Sequence, residues 1–347
     1  MTLSRLPPPK HQAPPKLQAC LNRSAAFGYL EAFMPRDPRV FQIMALSSLL
    51  AFGWSQRAFD ILPLGALAIV IGALTAQGLG SLLQAVKFDP KSAVITSLSL
   101  ILLIRSESLL ALGCLAALAV GTKFALRLGG KHIFNPANAG IVGGLIFASV
   151  NSPGLFWTTP GQWGTAIWLA ALMAGAGMFV TYRAARLDIP LVFLGVFAGL
   201  MFARAIWLGD PLTIPALRLQ NGALILFAFF MISDPKTTPD GKFARLAFAS
   251  AAAAIAFWLT FFAQQSDGLF YALAIVCIIR PLMEWLDPAR HYRWGDRPGA
   301  IPSVLTMFPA RHKNPRNSSA AMPPHGTMPP HSTMPPHSAT PPTLPAE

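Results

Sequence analysis

The stretch that decides the fold is Ile61-Leu-Pro-Leu-Gly-Ala-Leu-Ala-Ile-Val-Ile-Gly-Ala-Leu-Thr-Ala-Gln-Gly-Leu-Gly-Ser-Leu-Leu-Gln-Ala-Val86. It contains no Asp, Glu, Lys or Arg. About 20 apolar residues suffice for a helix to cross a bilayer. In lipid every backbone N–H and C=O must be paired internally, which leaves only a helix or a closed barrel. The run is continuous and lacks the period-two alternation of a barrel strand, so it reads as a helix.

Further hydrophobic segments lie at about 40–55, 92–104, 107–126, 134–150, 163–182, 189–208, 219–233, 244–263 and 268–286. Of the 347 residues, 53% are hydrophobic and 12% charged; a soluble domain carries about a quarter charged. An all-α integral membrane protein with about ten transmembrane helices is expected. The third and eighth segments are both short. Short segments in corresponding positions of two halves point to a binding site between repeats. The chain therefore parses into a Pro-rich arm (1–38), a first five-helix repeat (39–150), an outer connection (151–162), a second repeat (163–290) and a low-complexity tail (291–347). Because five is odd, the two repeats are inverted.

The net charge of +13 does not call for nucleic acid. With the N-terminus in the cytoplasm, only Arg57, Arg105, Arg204 and Arg218 of the 27 Lys and Arg fall outside, as cation-rich cytoplasmic loops require. Both termini are then cytoplasmic. Residues 1–38 hold no short apolar region of the kind that precedes signal cleavage. Cys20, Cys114 and Cys277 form no framework of bridges. In the tail, Met322-Pro-Pro-His, Met328-Pro-Pro-His and Met334-Pro-Pro-His recur every six residues. Proline this dense forbids a packed helix, and the tail reads as solvated rather than metal-binding.

Acidic residues such as Asp60, Asp89, Glu107, Asp188, Asp234 and Glu284 sit at segment ends. That excludes a self-contained carboxylate-relay antiporter, whose carboxylate lies within the membrane. Three polar strings remain. In Lys131-His-Ile-Phe-Asn-Pro-Ala-Asn138, Asn135 reads as a helix N-cap and Pro136 as the first helical residue, with His132 and Asn138 beside them. The free N–H groups of that helix start suit an anion or a polar ring. A capped, tightly packed helix start is the competing reading. In Phe229-Phe-Met-Ile-Ser-Asp-Pro-Lys-Thr-Thr-Pro239, an apolar helix ends in Ser233 and Asp234, followed by Thr237 and Thr238. The string reads either as a polar pocket at a helix mouth or as an ordinary turn. Ser92, Thr96 and Ser99 fall at i, i+4 and i+7, on one helix face. That face meets a ligand, water or another helix.

Together these strings resemble the family of RnfD, a membrane component of the Rnf electron-transport complex, and NqrB, its counterpart in the sodium-translocating NADH:quinone reductase. The resemblance covers about residues 35–290. It implies a urea-channel-like fold of two inverted five-helix repeats in the bacterial inner membrane. It also implies other membrane subunits as partners, and an ion-translocating complex that passes electrons. The family binds flavin, with FMN joined by a phosphoester to a threonine in a Ser-Gly-Ala-Thr-like motif between the fifth and sixth helices. This chain departs there. Residues 151–165 contain no such motif, and Thr158-Thr159-Pro160 is the nearest match, with Thr159 the first choice, Thr158 beside it and Thr165 the second site. The chain carries no dinucleotide fingerprint and no iron–sulfur cysteine cluster, so electron transfer would need partners. The alternative is a standalone channel or carrier for a small polar solute on the same fold without flavin.

Overall fold

The computed structural model describes residues 35, 37–55, 61–159, 167–289 and 292. The Pro-rich arm up to residue 34, Thr165 and the Met/His-rich repeats lie outside the described residues. The described chain is mostly helical: α1 Pro38–Ser55, α2 Pro63–Leu83, α3 Lys91–Leu103, α4 Leu109–Ala125, α5 Pro136–Asn151, α6 Ile167–Arg183 and α7 Asp188–Leu208. Next come α8 Thr213–Leu219 and α9 Gly222–Leu226, which runs into a π-helical turn, Phe227–Met231. The series ends with α10 Lys242–Phe261 and α11 Gly268–Leu286. Among the described residues, four helices are long and apolar enough to cross a membrane (α2, α7, α10 and α11), or five if the bent pair Thr213–Leu219 and Gly222–Met231 is one span.

Local chemistry sets these boundaries. Pro63 and Pro136 open α2 and α5, where a missing N–H costs nothing. Ser108 caps α4 by accepting from the Ala111 N–H at 3.2 Å. Asn135 caps α5 by accepting from the Asn138 N–H at 3.2 Å, as its sequence position predicts. Gly209, at φ +73°, closes α7 in the left-handed conformation. The eighth segment differs from expectation. It begins at Thr213 and bends by 53°, because Asn221 starts a new helix by capping the Ala223 N–H at 2.8 Å. Hydropathy alone does not reveal α8, because Pro215 and Arg218 lie within it.

Among the described residues, four two-residue strands join the helices. β1 (Ile104–Arg105) pairs antiparallel with β4 (Trp157–Thr158), and β2 (Arg127–Leu128) with β3 (Lys131–His132). The latter hairpin turns at Gly129 and Gly130, both with positive φ, as a tight two-residue turn demands.

Helices α2 and α4 pack together, as do α4 and α5; α7 and α10 pack together, as do α10 and α11. α1 packs on α3 and on α6, and α5 on α11. The α2–α4 contact is backbone to backbone, since a Cβ on Gly72 would overlap the Gly113 carbonyl. Small residues permit such approach where lipid offers no hydrophobic drive. Deeper in, Phe193, Phe227 and Phe270 form a ring cluster with centroids 5.2 and 6.0 Å apart.

The two ends of the bundle differ in chemistry. Ion pairs gather where α3, α7 and α10 begin and α11 ends. At the opposite end lie Trp54, Trp157, Trp168, Trp207 and Trp258, all exposed, while Trp285 is exposed at the ionic end. Tryptophan favours the membrane–water interface. Leu64, Leu67 and Ile71 of α2, with Leu110 and Leu118 of α4, present large exposed apolar side chains between the ends, as a lipid-facing surface does.

Candidate functional site

A cavity of about 270 Å³ opens at the ionic end. One wall is α3, which turns Ser92, Thr96 and Ser99 toward it. The Thr96 hydroxyl donates to the Ser92 carbonyl at 2.9 Å, leaving its oxygen free to accept. The facing wall is the start of α5, with His132 and Asn135, and the end of the π-helical turn, with Phe230 and Asp234. π-Helical turns recur at functional sites. Gln77 of α2 and Lys123 of α4 also line the cavity, with Arg39, Lys87, Asp89 and Lys236 among the others, and Lys123 donates to the Gln77 side-chain oxygen.

Strings that lie far apart in sequence meet here. Asn135 Nδ2 donates to Asp234 Oδ2 at 3.3 Å and to the Met231 carbonyl at 3.4 Å. Behind them, Lys131 Nζ reaches the Thr238 carbonyl at 2.9 Å, Asp240 at 2.7 Å and Glu284 at 2.8 Å. Arg186 shares Asp240 at 2.7 Å. Arg280, fully buried, lies 3.3 Å from Glu284.

Ser92, Thr96, His132, Asn135 and Asp234 therefore converge on one cavity. The remaining residues singled out from the sequence serve the backbone. Asn138 donates to the Phe270 carbonyl at 3.1 Å, tying α5 to α11. Ser233 donates to the Phe229 carbonyl at 2.6 Å, and Thr237 and Thr238 donate to the Asp234 carbonyl at 3.2 and 3.0 Å. Motif reading does not single out Gln77 and Lys123. A signal exists all the same, because each is a polar residue inside an otherwise apolar helix.

Burial, then the charges of Arg127, Lys123 and Lys236, pushes the His132 imidazole down to about 4. It is therefore neutral near pH 7, and its buried Nδ1 has no partner among the described residues. Burial raises the Asp234 carboxyl against the opposing pull of the Lys236 N–H and ammonium. At the rim, burial of Asp37 is outweighed by hydrogen bonds from Arg39 and Lys91, which hold its carboxyl at about 2. Among the described residues no group of three or more His, Cys, Asp or Glu could hold a metal ion. The arrangement offers hydroxyls, an amide and ammonium groups to a polar ligand.

At the tryptophan end, the Thr158 hydroxyl donates to the Asp267 carboxylate. The Thr159 hydroxyl donates to the Leu102 carbonyl at 3.2 Å, and its N–H to the Leu103 carbonyl at 3.0 Å. A phosphoester on Thr158 would press a phosphate against Asp267. One on Thr159 would replace the donor that faces the Leu102 carbonyl with acceptors. These two residues as arranged do not fit a covalently attached FMN. A second cavity of about 290 Å³ lies nearby, with Trp157 on its wall, but neither threonine lines it.

Apolar helices with most charge near their ends, and a tryptophan-rich end, mark a multi-pass membrane protein. Residues 146–293 match the model of the NQR2, RnfD, RnfE family, and over them the chain is related to that family. It is 33% identical over 141 residues to the D component of an ion-translocating oxidoreductase complex from Salmonella enteritidis PT4, covering 40% of this chain and 38% of that protein. It is 33% identical over 140 residues to a protein of the same name from Escherichia coli O6:H1, with the same coverage. The match thus spans well under half the length of these relatives. It is also narrower than the 35–290 resemblance read from the sequence, and holds the Phe229–Pro239 string but not the other two.

Proposed function

We propose that this chain is the membrane subunit of an Rnf- or Nqr-like ion-translocating electron-transport complex in a bacterial inner membrane. One observation carries the reading: the three strings that bear the resemblance close around a single cavity, with Asn135 bonded to Asp234 and the Ser92–Thr96 face opposite. The relatives named as components of such a complex supply the assembly, and other membrane subunits are the partners.

In the same proposal the bundle is two inverted five-helix repeats of the urea-channel kind, ten spans in all. The packing pattern supports this. α2, α4 and α5 pack in the sequence that α7, α10 and α11 repeat, yet α2 ends at the ionic end and α7 starts there. By the rule of cytoplasmic positive charge, the ionic end and both termini face the cytoplasm. Flavin belongs to the reading either on Thr165 or held without a covalent bond. When bound it would supply the electron transfer, and the protein its position and field.

The second reading, a standalone channel or carrier for a small polar solute, is favoured by the engaged hydroxyls of Thr158 and Thr159. Affinity purification of the tagged chain from its native membrane separates the two. Co-purifying redox subunits with flavin absorbance support the first. A chain that purifies alone, carries no flavin and passes solute in proteoliposomes overturns it. Expression with an FMN-transferase, followed by in-gel fluorescence of wild type and Thr165→Ala, decides covalent attachment.

A further inference from the structure

Among the described residues, the basic side chains behind the cavity are balanced, as is Arg39 in its lining, which pairs with Asp37 and Asp89, but four further lining cations are not. Lys131, Arg186 and Arg280 each reach a carboxylate within 3.3 Å. Lys87, Lys123, Arg127 and Lys236 line the cavity, and none of them has an ion pair among the described residues. Lys123 is only 6% exposed. Of the two carboxylates in the lining, Asp89 is taken by Arg39 at 2.7 Å, and Asp234 accepts from Asn135 and the Lys236 N–H. Four unpaired cations around a cavity whose two carboxylates are already engaged leave it net positive, which favours an anion.

We infer that this cavity binds the phosphate group of a phosphate-bearing molecule. A phosphate offers oxygen acceptors on every side and about two negative charges. Lysine ammonium groups meet it as point charges, and Arg127 as a fork. The cavity's 270 Å³ exceeds what a phosphate alone fills, and its further lining sets the hydroxyls of Ser92, Thr96 and Ser99 beside the apolar Ile95, Phe124 and Phe230, as suits an organic moiety carrying hydroxyls. The ligand is therefore an organic phosphate ester rather than the free ion. Either a water-soluble ester or a phospholipid headgroup presents this chemistry. The inference rests on the cavity's own charges and goes beyond the redox reading, so subunit co-purification can fail without touching it.

The test uses the full chain, purified in detergent. Glycerol 3-phosphate is titrated by calorimetry, and native mass spectrometry measures retention of phosphatidylglycerol. Variants are Lys87→Gln/Lys236→Gln and, as a charge-matched control outside the cavity, the exposed Lys242→Gln. Saturable binding of glycerol 3-phosphate, weakened about tenfold or more in the double variant and unchanged in the control, assigns a soluble ester. Retention of phosphatidylglycerol alone, lost only in the double variant, assigns a lipid headgroup. If the double variant fails to fold, the exposed Lys87→Gln alone must weaken binding in the same direction. Binding of neither probe, or equal loss in Lys242→Gln, overturns the inference.

Discussion

The side-chain amide of Asn135 donates to the carboxylate of Asp234 at 3.3 Å, joining positions 99 residues apart, while its oxygen caps the helix that follows. One side chain thus starts α5 and fastens it to the end of the π-helical turn. Loss of an N-cap alone costs about 1 kcal/mol. A carboxylate deprived of its buried donor costs about 1–3 kcal/mol more. Asn135→Ala is expected to lower stability in detergent by roughly 2–4 kcal/mol. Asn135→Asp keeps the cap but faces Asp234 with a like charge, so it too should destabilise. An Asn135→Asp variant as stable as wild type in a denaturant titration would show that the contact with Asp234 contributes nothing.

Asp240 holds both Lys131 and Arg186 at 2.7 Å, and its side chain is 5% exposed. Removing one partner of a buried ion pair strands the other and costs about 3–5 kcal/mol. Asp240→Asn should therefore reduce the monodisperse yield severely. Asp188→Asn breaks the more exposed pair with Arg245 and should cost about 1 kcal/mol or less. Size-exclusion profiles of the two variants, expressed side by side, check the ranking.

Gly72 and Gly113 face each other across the α2–α4 contact but are not equivalent. A Cβ on Gly72 would overlap the Gly113 carbonyl, whereas one on Gly113 would lie 3.4 Å from the Ala68 carbonyl oxygen, an ordinary contact. Gly72→Ala should destabilise by about 1–3 kcal/mol, the range for overpacking, and Gly113→Ala should be nearly neutral. Thermal unfolding in detergent reads both.

Acid should act in two windows. The His132 pKa of about 4 in the folded chain is below the ordinary 6.5, so between those values the unfolded chain binds the extra proton. Stability should fall as pH drops from about 6.5 to 4, then level off for this group. Asp37, at about 2 against an ordinary 3.8, contributes stability that is complete above 3.8 and is lost as pH falls through about 2. His132→Gln should flatten the melting temperature between pH 6.5 and 4. An unchanged slope there would remove His132 as its cause.

Because their hydroxyls are engaged inward, Thr158→Ala and Thr159→Ala should leave any covalent flavin in place. Loss of in-gel flavin fluorescence in either would show that the outer strand rearranges to accept the phosphoester.

What the sequence determined by itself was local. Apolar runs, proline at helix starts, the Asn135 cap and hydroxyls spaced at i, i+4 and i+7 all act within a few residues. They were legible without knowing what lies across the bundle. The confinement of charge to helix ends was equally plain, because lipid excludes it wherever it falls. Tertiary structure alone decided that Asn135 meets Asp234, that Gln77 and Lys123 line the cavity holding Thr96, and that Thr158 spends its hydroxyl on Asp267. It also decided that Asn138 satisfies the Phe270 carbonyl rather than facing a ligand, whereas Ser233, Thr237 and Thr238 bond carbonyls three or four residues away. A hydroxyl or amide carries the same donors in any sequence. For Asn135, Asn138 and Thr158 the acceptor depends on helices brought together from positions around 100 residues apart, and no local pattern encodes that.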